Sequence, residues 1–244
     1  MEERIATLRR ILDESSYTVA LCGSGMMEEG GYIGVKNPDK AYDIEKKYGY
    51  SPEEIFTSAF YNTRPKLFFD FYKQEMLNGG PEPTESETVL EKLEQDGKLQ
   101  CIITSNIYEL CQRSGCKNVI ELHGSIYHNI CQRCGREYPV EYIKQAHGIP
   151  VCEDCQIPIR PGLFFFREMA DSQLVTQAVE EINRAEVLLL LGTNLNSEVF
   201  SHYIKYFQGK YLVIIHQRSH YLDDNADMVF IDQPKNILSR LGYV

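Results

Sequence analysis

The chain has 244 residues, 43% apolar and 25% charged, and its 35 acidic against 25 basic residues leave a net charge of −10. That length buries a sizeable core in one large domain or in a domain with an insertion. So acidic a surface argues against DNA, RNA or an anionic membrane as partner, because phosphate contact needs local positive charge.

The longest apolar run, residues 187–191, is too short to span a bilayer, and the N-terminus lacks the layout of a signal peptide. The expectation is a cytoplasmic protein. Ile5, Leu8, Ile11 and Leu12 fall at helical spacing near the start. Residues 17–22 read as a short buried strand, ended by Gly23-Ser24-Gly25. The aromatic stretch 34–77 reads as helical, with Ser51-Pro52-Glu53-Glu54 as one helix start. Pro81-Glu82-Pro83 marks a loop, and Thr84 with Glu87 forms a capping box for a helix ending near Gly97. A strand at 100–104, a helix at about 107–114 and a short apolar run at 119–122 follow. Further on come a helix (172–184), a strand (187–191), a helix opened by Asn196 or Ser197, and strands at 211–215 and 228–231. Helices alternating with continuous apolar strands give an α/β fold whose parallel sheet is covered on both faces. Two excursions, about 31–77 and 129–160, interrupt the alternation and predict a second, smaller lobe. The large lobe then comprises about 1–30, 78–128 and 161–244.

Eight cysteines without an export signal suggest metal or thiol chemistry rather than disulfides. Four of them form Cys131-x-x-Cys134, seventeen intervening residues, and Cys152-x-x-Cys155. That spacing fits two knuckles closing one tetrahedral, structural zinc site, as against four unrelated thiols in a loop. Cys22, Cys101, Cys111 and Cys116 read as small buried hydrophobes or helix residues. Glu28-Glu29 reads as a solvated turn, and Met26 and Met27 as loop residues.

Ligands of open α/β sheets sit at the carboxyl ends of the strands. There the chain carries Gly23, Ser24 and Gly25, then Ser105 and Asn106, His123-Gly124, Gly192, Thr193 and Asn194, and His216. Small and polar residues at every end predict one shared cleft. The glycine turn by itself fits either a pyrophosphate held at a helix start or a tight turn with no ligand.

In order and over nearly the whole chain, these segments resemble the sirtuins, NAD-dependent protein deacylases, and especially their bacterial members. Gly23-Ser24-Gly25 is similar to the family's Gly-Ala-Gly, and 103–107 to its strand ending Thr-Gln-Asn-Ile-Asp. Cys111-Gln112-Arg113-Ser114-Gly115 resembles the following His-Gln-x-x-Gly, and 121–125 matches the segment bearing the catalytic histidine. Arg160-Pro161, the four zinc cysteines and Gly192-Thr193-Asn194-Leu195 complete the likeness.

The resemblance implies a Rossmann-like NAD-binding domain with a smaller lobe made of a helical part and a zinc ribbon. It implies His123 as general base and Asn106 as the residue orienting the ribose. It implies Gly23, Ser24, Gly25, Lys36, Ser105, Ile107, Gly192, Thr193, Asn194 and His216 around NAD. Leu163 and Phe164 would then meet an acylated-lysine protein substrate. The pattern departs at Met27, Val35, Lys36, Ser105, Tyr108, His216, Leu163-Phe164 and Arg167. Tyr108 stands where an aspartate would hold the nicotinamide amide, and Arg167 where a glycine precedes the glutamate. Three functions follow: an NAD-dependent protein-lysine deacylase releasing nicotinamide and O-acyl-ADP-ribose; a protein of this fold binding NAD or ADP-ribose without turnover; and a protein ADP-ribosyltransferase.

Overall fold

Strand-length apolar runs that do not alternate with polar residues must be covered on both faces, which only a sheet between two helical layers provides. The computed structural model describes residues 1–169 and 171–244. Its described strands are β1 (Thr18–Cys22), β2 (Cys101–Thr104), β3 (Val119–Glu121), β4 (Gly124–Ile130), β5 (Glu137–Tyr138), β6 (Arg160–Leu163), β7 (Val187–Leu191), β8 (Tyr211–His216) and β9 (Met228–Ile231). The chain separates into two compact units, one of residues 1–31, 81–122 and 171–244, the other of 32–80 and 123–169.

The first unit is built on a six-stranded sheet in the order β3-β2-β1-β7-β8-β9, with every neighbouring pair parallel. Every residue of β1 and β7 is buried. Ala20, Cys22, Leu189 and Leu191 pack on one face with Leu8 and Leu12 of helix Glu2–Glu14 and Leu90 and Leu93 of helix Glu85–Gln95. Val19, Leu21, Leu188 and Leu190 turn to the other, against Ala178 and Ile182 of helix Ser172–Arg184 and against Phe200. The sheet runs outward in opposite directions from β1 and β7, so the strand order switches between them. That is where an open α/β sheet leaves a crevice beyond its strand ends. Cys22, Cys101, Cys111 and Cys116 are buried, as their reading as small hydrophobes requires.

In the second unit β4 pairs antiparallel with β5 and β6. This moves residues 123–128 and 161–169 out of the large lobe, where the sequence division put them. β4 gave no clear strand signal because Tyr127, His128 and Asn129 follow one another as polar or amphipathic residues. The stretch 34–77 is helical as expected, but as short pieces: Pro38–Tyr48, Pro52–Ile55, Ser58–Thr63 and Pro65–Phe71, running into a π-helical turn, Tyr72–Leu77. Asn37 caps the first through the amides of Asp39 and Lys40, and Ser51 with Glu54 forms a capping box on the second. Phe68 gathers Phe56, Tyr61, Phe69 and Phe165 around itself at 5.2–5.8 Å between ring centroids.

Two helix starts differ from the sequence reading. The helix expected from 107 begins at Leu110, and the one expected from Asn196 or Ser197 begins at Ser201. In both places an Asn carboxamide first holds a turn, Asn106 to the amide of Tyr108 and Asn194 to that of Asn196. Helix Ser24–Glu29, helix Pro234–Leu238 and the 3₁₀ turn Tyr221–Asn225 are additions. Met26 proves to be core, fully buried, rather than a loop residue. Among the described residues no helix is long and apolar enough to cross a membrane.

Candidate cofactor cleft and metal centre

At the switch point an open cleft of about 200 Å³ is lined by Ser24, Gly25, Glu28, Gly192, Thr193, Asn194, His216, Gln217, Arg218 and Pro234. Six residues expected at a cofactor from separate strand ends, Ser24, Gly25, Gly192, Thr193, Asn194 and His216, therefore share one wall system. Gly23 lies immediately behind it. Its amide donates to Leu191 O at 2.9 Å, and that of Gly25 to Gly192 O at 2.9 Å. A Cβ on Gly25 would stand 2.6 Å from Gly192 Cα, and one on Gly23 would stand 2.6 Å from Thr193 Cβ. These glycines let the two turns touch. The amides of Gly23 and Gly25 are engaged in doing so, and their part in the cleft is shape rather than donation.

His216 ends β8 and is 5% exposed, with its Nε2 3.0 Å from Asp223 Oδ2. The Asp223 carboxylate also accepts from the His220 amide at 2.8 Å, so the imidazole is held from a fixed point. Arg218 brings a cation to the same cleft, and Glu28 an anion. Sequence reasoning missed Gln217 and Arg218, although the strand-end rule that found His216 applies to the residues just past it. Glu29 was misread: it is 7% exposed, accepting from Thr84 Oγ1 at 2.8 Å and from the Lys235 amide at 3.1 Å.

At the end of β2, Ser105 donates its amide to Cys22 O, and Asn106 is 1% exposed. Asn106 Oδ1 accepts from the amide of Tyr108 at 2.7 Å, which fixes its NH₂ as the donating end. Tyr108 is itself 1% exposed, and Ile107 lies between them half-buried.

His123, Lys36, Leu163, Phe164 and the four paired cysteines belong to the second unit. His123 O accepts from the Phe164 amide at 3.1 Å. Beside it Gly124, at φ +72°, has Gly162 O only 2.1 Å from where a Cβ would sit, so the histidine turn and β6 are pressed together. Leu163 is buried and Phe164 half-buried. Lys36 Nζ lies 4.9 Å from the Phe166 ring centre. Glu168 braces this strand, accepting from both the Arg160 guanidinium and the Phe165 amide at 2.8 Å.

The ligand atoms of Cys131, Cys134, Cys152 and Cys155 all lie within 4.8 Å of one another. Cys134 Sγ and Cys152 Sγ are 3.7 Å apart. Sulfurs bound at about 2.3 Å around a tetrahedral ion stand about 3.8 Å apart, so the set fits a metal of that kind. The Tyr138 hydroxyl donates to Cys152 Sγ at 3.2 Å and the Cys155 amide at 3.4 Å. The tyrosine contact, foremost, draws the Cys152 thiol down to about 6, toward the thiolate that metals bind.

The Sir2 family model matches residues 36–199. An NAD-dependent protein deacetylase of Clostridium acetobutylicum is 32% identical over 237 residues, 97% of each chain. Among solved structures, one described as the structural basis of sirtuin substrate affinity superposes with a TM-score of 0.86 at 31% identity, covering 97% of both chains. A Sir2 complex with p53 peptide and NAD+ superposes with a TM-score of 0.81 at 29% identity, covering 97% of this chain and 96% of the other.

Proposed function

The chain belongs to the Sir2 family, and from that premise we propose that it is an NAD-dependent protein-lysine deacylase releasing nicotinamide and O-acyl-ADP-ribose. The observation that carries this reading is the switch-point cleft, where Ser24, Gly25, Gly192, Thr193, Asn194 and His216 meet with Arg218. Those residues, with Gly23, would hold the ADP-ribose part of NAD, and Arg218 would offset phosphate charge. Asn106, with Ser105 and Ile107, would orient the nicotinamide ribose through its fixed NH₂. When bound, NAD supplies the sugar carbon from which nicotinamide leaves. His123 would take the ribose hydroxyl proton on its imidazole, the side chain whose ordinary range suits a base near neutral pH. Lys36 would lend charge to the cofactor. Leu163 and Phe164, on the strand pinned to His123 O, would receive the acylated lysine of a protein partner. The four cysteines would hold one structural zinc, which their sulfur spacing supports. Cytoplasmic placement goes with this reading.

The test is formation of deacylated peptide and O-acyl-ADP-ribose from NAD and an acetyl-lysine peptide. His123→Ala should lower this acyl transfer about a hundredfold to ten-thousandfold with the zinc content unchanged. Undiminished acyl transfer would remove His123 from the reaction.

One observation favours a second reading, binding without turnover. Tyr108 is buried beside Asn106 where the family pattern has an aspartate, and an unpaired nicotinamide amide would cost about 1–3 kcal/mol. On that reading the wild type releases no nicotinamide, and calorimetry finds ADP-ribose bound at least as tightly as NAD. NAD binding more than about tenfold tighter would exclude it.

A further inference from the structure

Two glutamates that the deacylase reading does not use are buried next to the cleft. Glu29 ends helix Ser24–Glu29, and Glu87 lies fully enclosed in the first turn of helix Glu85–Gln95. Thr84 stands between them, its Oγ1 2.8 Å from Glu29 Oε1 and 2.9 Å from Glu87 Oε2. A hydroxyl has one hydrogen, so Thr84 donates to only one of these groups. The other contact is a hydrogen bond only if that carboxyl carries a proton and donates it to Thr84 Oγ1. Two ionised carboxylates this close, away from water, would face both desolvation and mutual repulsion. The arrangement holds one proton between two acids.

Glu87 is the acid that keeps it. Each carboxylate accepts one backbone amide, Glu29 Oε2 from Lys235 at 3.1 Å and Glu87 Oε2 from Thr84 at 2.8 Å, but the Lys235 ammonium, 3.3 Å from the Glu29 main-chain oxygen, puts its positive charge on the Glu29 side. Glu87 Oε1 is buried with no partner. Burial, the largest influence, pushes the Glu87 carboxyl up to about 7, with the Glu29 charge adding to it and the Thr84 amide and hydroxyl opposing. The chain then runs from Glu87 Oε2–H to Thr84 Oγ1, and from the Thr84 hydrogen to Glu29 Oε1. The Ser86 amide donates to Thr84 Oγ1 at 3.1 Å and fixes it. Other charged or titratable neighbours are Cys111 on helix Leu110–Ser114, whose thiol feels Glu87, and Arg113, which is turned to Pro81 O and Glu82.

Glu29 joins two walls of the cleft. Gly25 and Glu28 on its helix line one side, and Pro234, next to Lys235, lines the other. We propose that Glu29–Thr84–Glu87 is a proton-dependent brace of the cleft, which holds the wall in its ligand-binding shape while the shared proton is present and loosens it when the proton is lost. The coupling rests on the cofactor reading above; the proton itself does not. Because the folded protein keeps a proton that an unfolded glutamate loses near its ordinary value, stability falls as pH rises from the carboxyl range to about 7 and then levels.

Two measurements test the brace on the whole zinc-loaded protein: melting temperature without ligand across about pH 5 to 8.5, and ADP-ribose affinity by calorimetry at about pH 6 and pH 8. In the wild type the melting temperature should fall toward pH 7 and flatten, and affinity should drop about threefold or more between the two pH values. Glu87→Gln should flatten the melting profile and bind equally at both, whereas Thr84→Ser, which keeps the hydroxyl, should behave as wild type. If Glu87→Gln fails to fold, the infrared band of a protonated carboxyl in the wild type at about pH 6, lost by about pH 8, reads the proton directly. Identical profiles for wild type and Glu87→Gln, or the absence of that band, overturn the brace. No ADP-ribose binding at either pH overturns the cofactor reading and the coupling, and the melting profiles still decide the proton.

Discussion

The two units of the chain solve the problem of burial differently. In the first, β1 and β7 bury every residue and the helical layers close both faces, so apolar transfer alone specifies the arrangement. In the second, the helices of the stretch 32–80 run four to eleven residues, lengths that do not persist alone in water. They depend on an aromatic cluster around Phe68, on caps such as Asn37 and Ser51, and, in the 123–169 stretch, on four sulfurs drawn to one point. A parallel sheet carries its instructions in each strand; a unit gathered around side-chain clusters carries them in residues that mean little apart.

The largest effect that separates the two should come from metal. Stripping metal from the proposed zinc site, or Cys131→Ser, should remove a contribution of about 10 kcal/mol or more to folding. Hydrogen exchange read by mass spectrometry should show peptides around Cys131–Cys155 losing protection while β1, β2 and β7 keep theirs. Equal loss in both units would mean that they fold as one cooperative block. Less than about half an equivalent of zinc in the purified protein would remove the metal from the account.

Next in size, Leu189→Ala truncates a fully buried residue in the middle of β7. It should cost about 2–5 kcal/mol in urea unfolding, and loss of protection should start in the sheet unit. A cost below about 1 kcal/mol would show that the sheet relaxes around the cavity.

How legible each region was follows from the same contrast. The strands of the sheet stood out as continuous apolar runs, and their carboxyl ends pointed to Ser24, Gly192, Thr193, Asn194 and His216 before any geometry was known. β4 did not stand out, because its partner β6 lies some thirty residues on and its own residues are mixed. Glu29 was misread for the same physical reason. Two adjacent acids look solvated, and what buries this one are Thr84 and Lys235, 55 and 206 residues away. Long-range polar partners leave no periodicity to read.

A smaller effect tests the glycine contact between the β1 and β7 turns. Gly25→Ala places a methyl 2.6 Å from Gly192 Cα and 2.9 Å from Gly192 O, backbone atoms that move only with the turn. It should cost about 1–3 kcal/mol of stability and weaken ADP-ribose binding, because the same turns line the cleft. Unchanged binding with lowered stability would make the contact purely structural.

The smallest effect has the opposite sign and belongs to the second unit. Among described non-glycine residues, positive φ occurs at Glu109, Gln156 and Arg167. Gln156 is held there by its own amide, which donates to Glu153 O at 2.8 Å and Cys152 O at 3.3 Å. Arg167, at φ 68° and exposed, occupies the position where the family pattern has glycine. The left-handed conformation costs an L-residue about 1–2 kcal/mol, and glycine gives back about 0.5–1 kcal/mol through the freedom of its unfolded chain. Arg167→Gly should therefore stabilise by roughly 0.5–1 kcal/mol, raising the melting temperature by no more than about 2–4 °C. The gain should appear in exchange protection of residues 160–168, where Glu168 grips Arg160 and the Phe165 amide. A loss of stability instead would mean that the guanidinium offsets its own strain through the Glu54 carboxylate, which the Ser51 amide and hydroxyl chiefly hold below its ordinary range and to which Arg167 adds least. Repeating the measurement in Glu54→Gln would then abolish the difference between arginine and glycine.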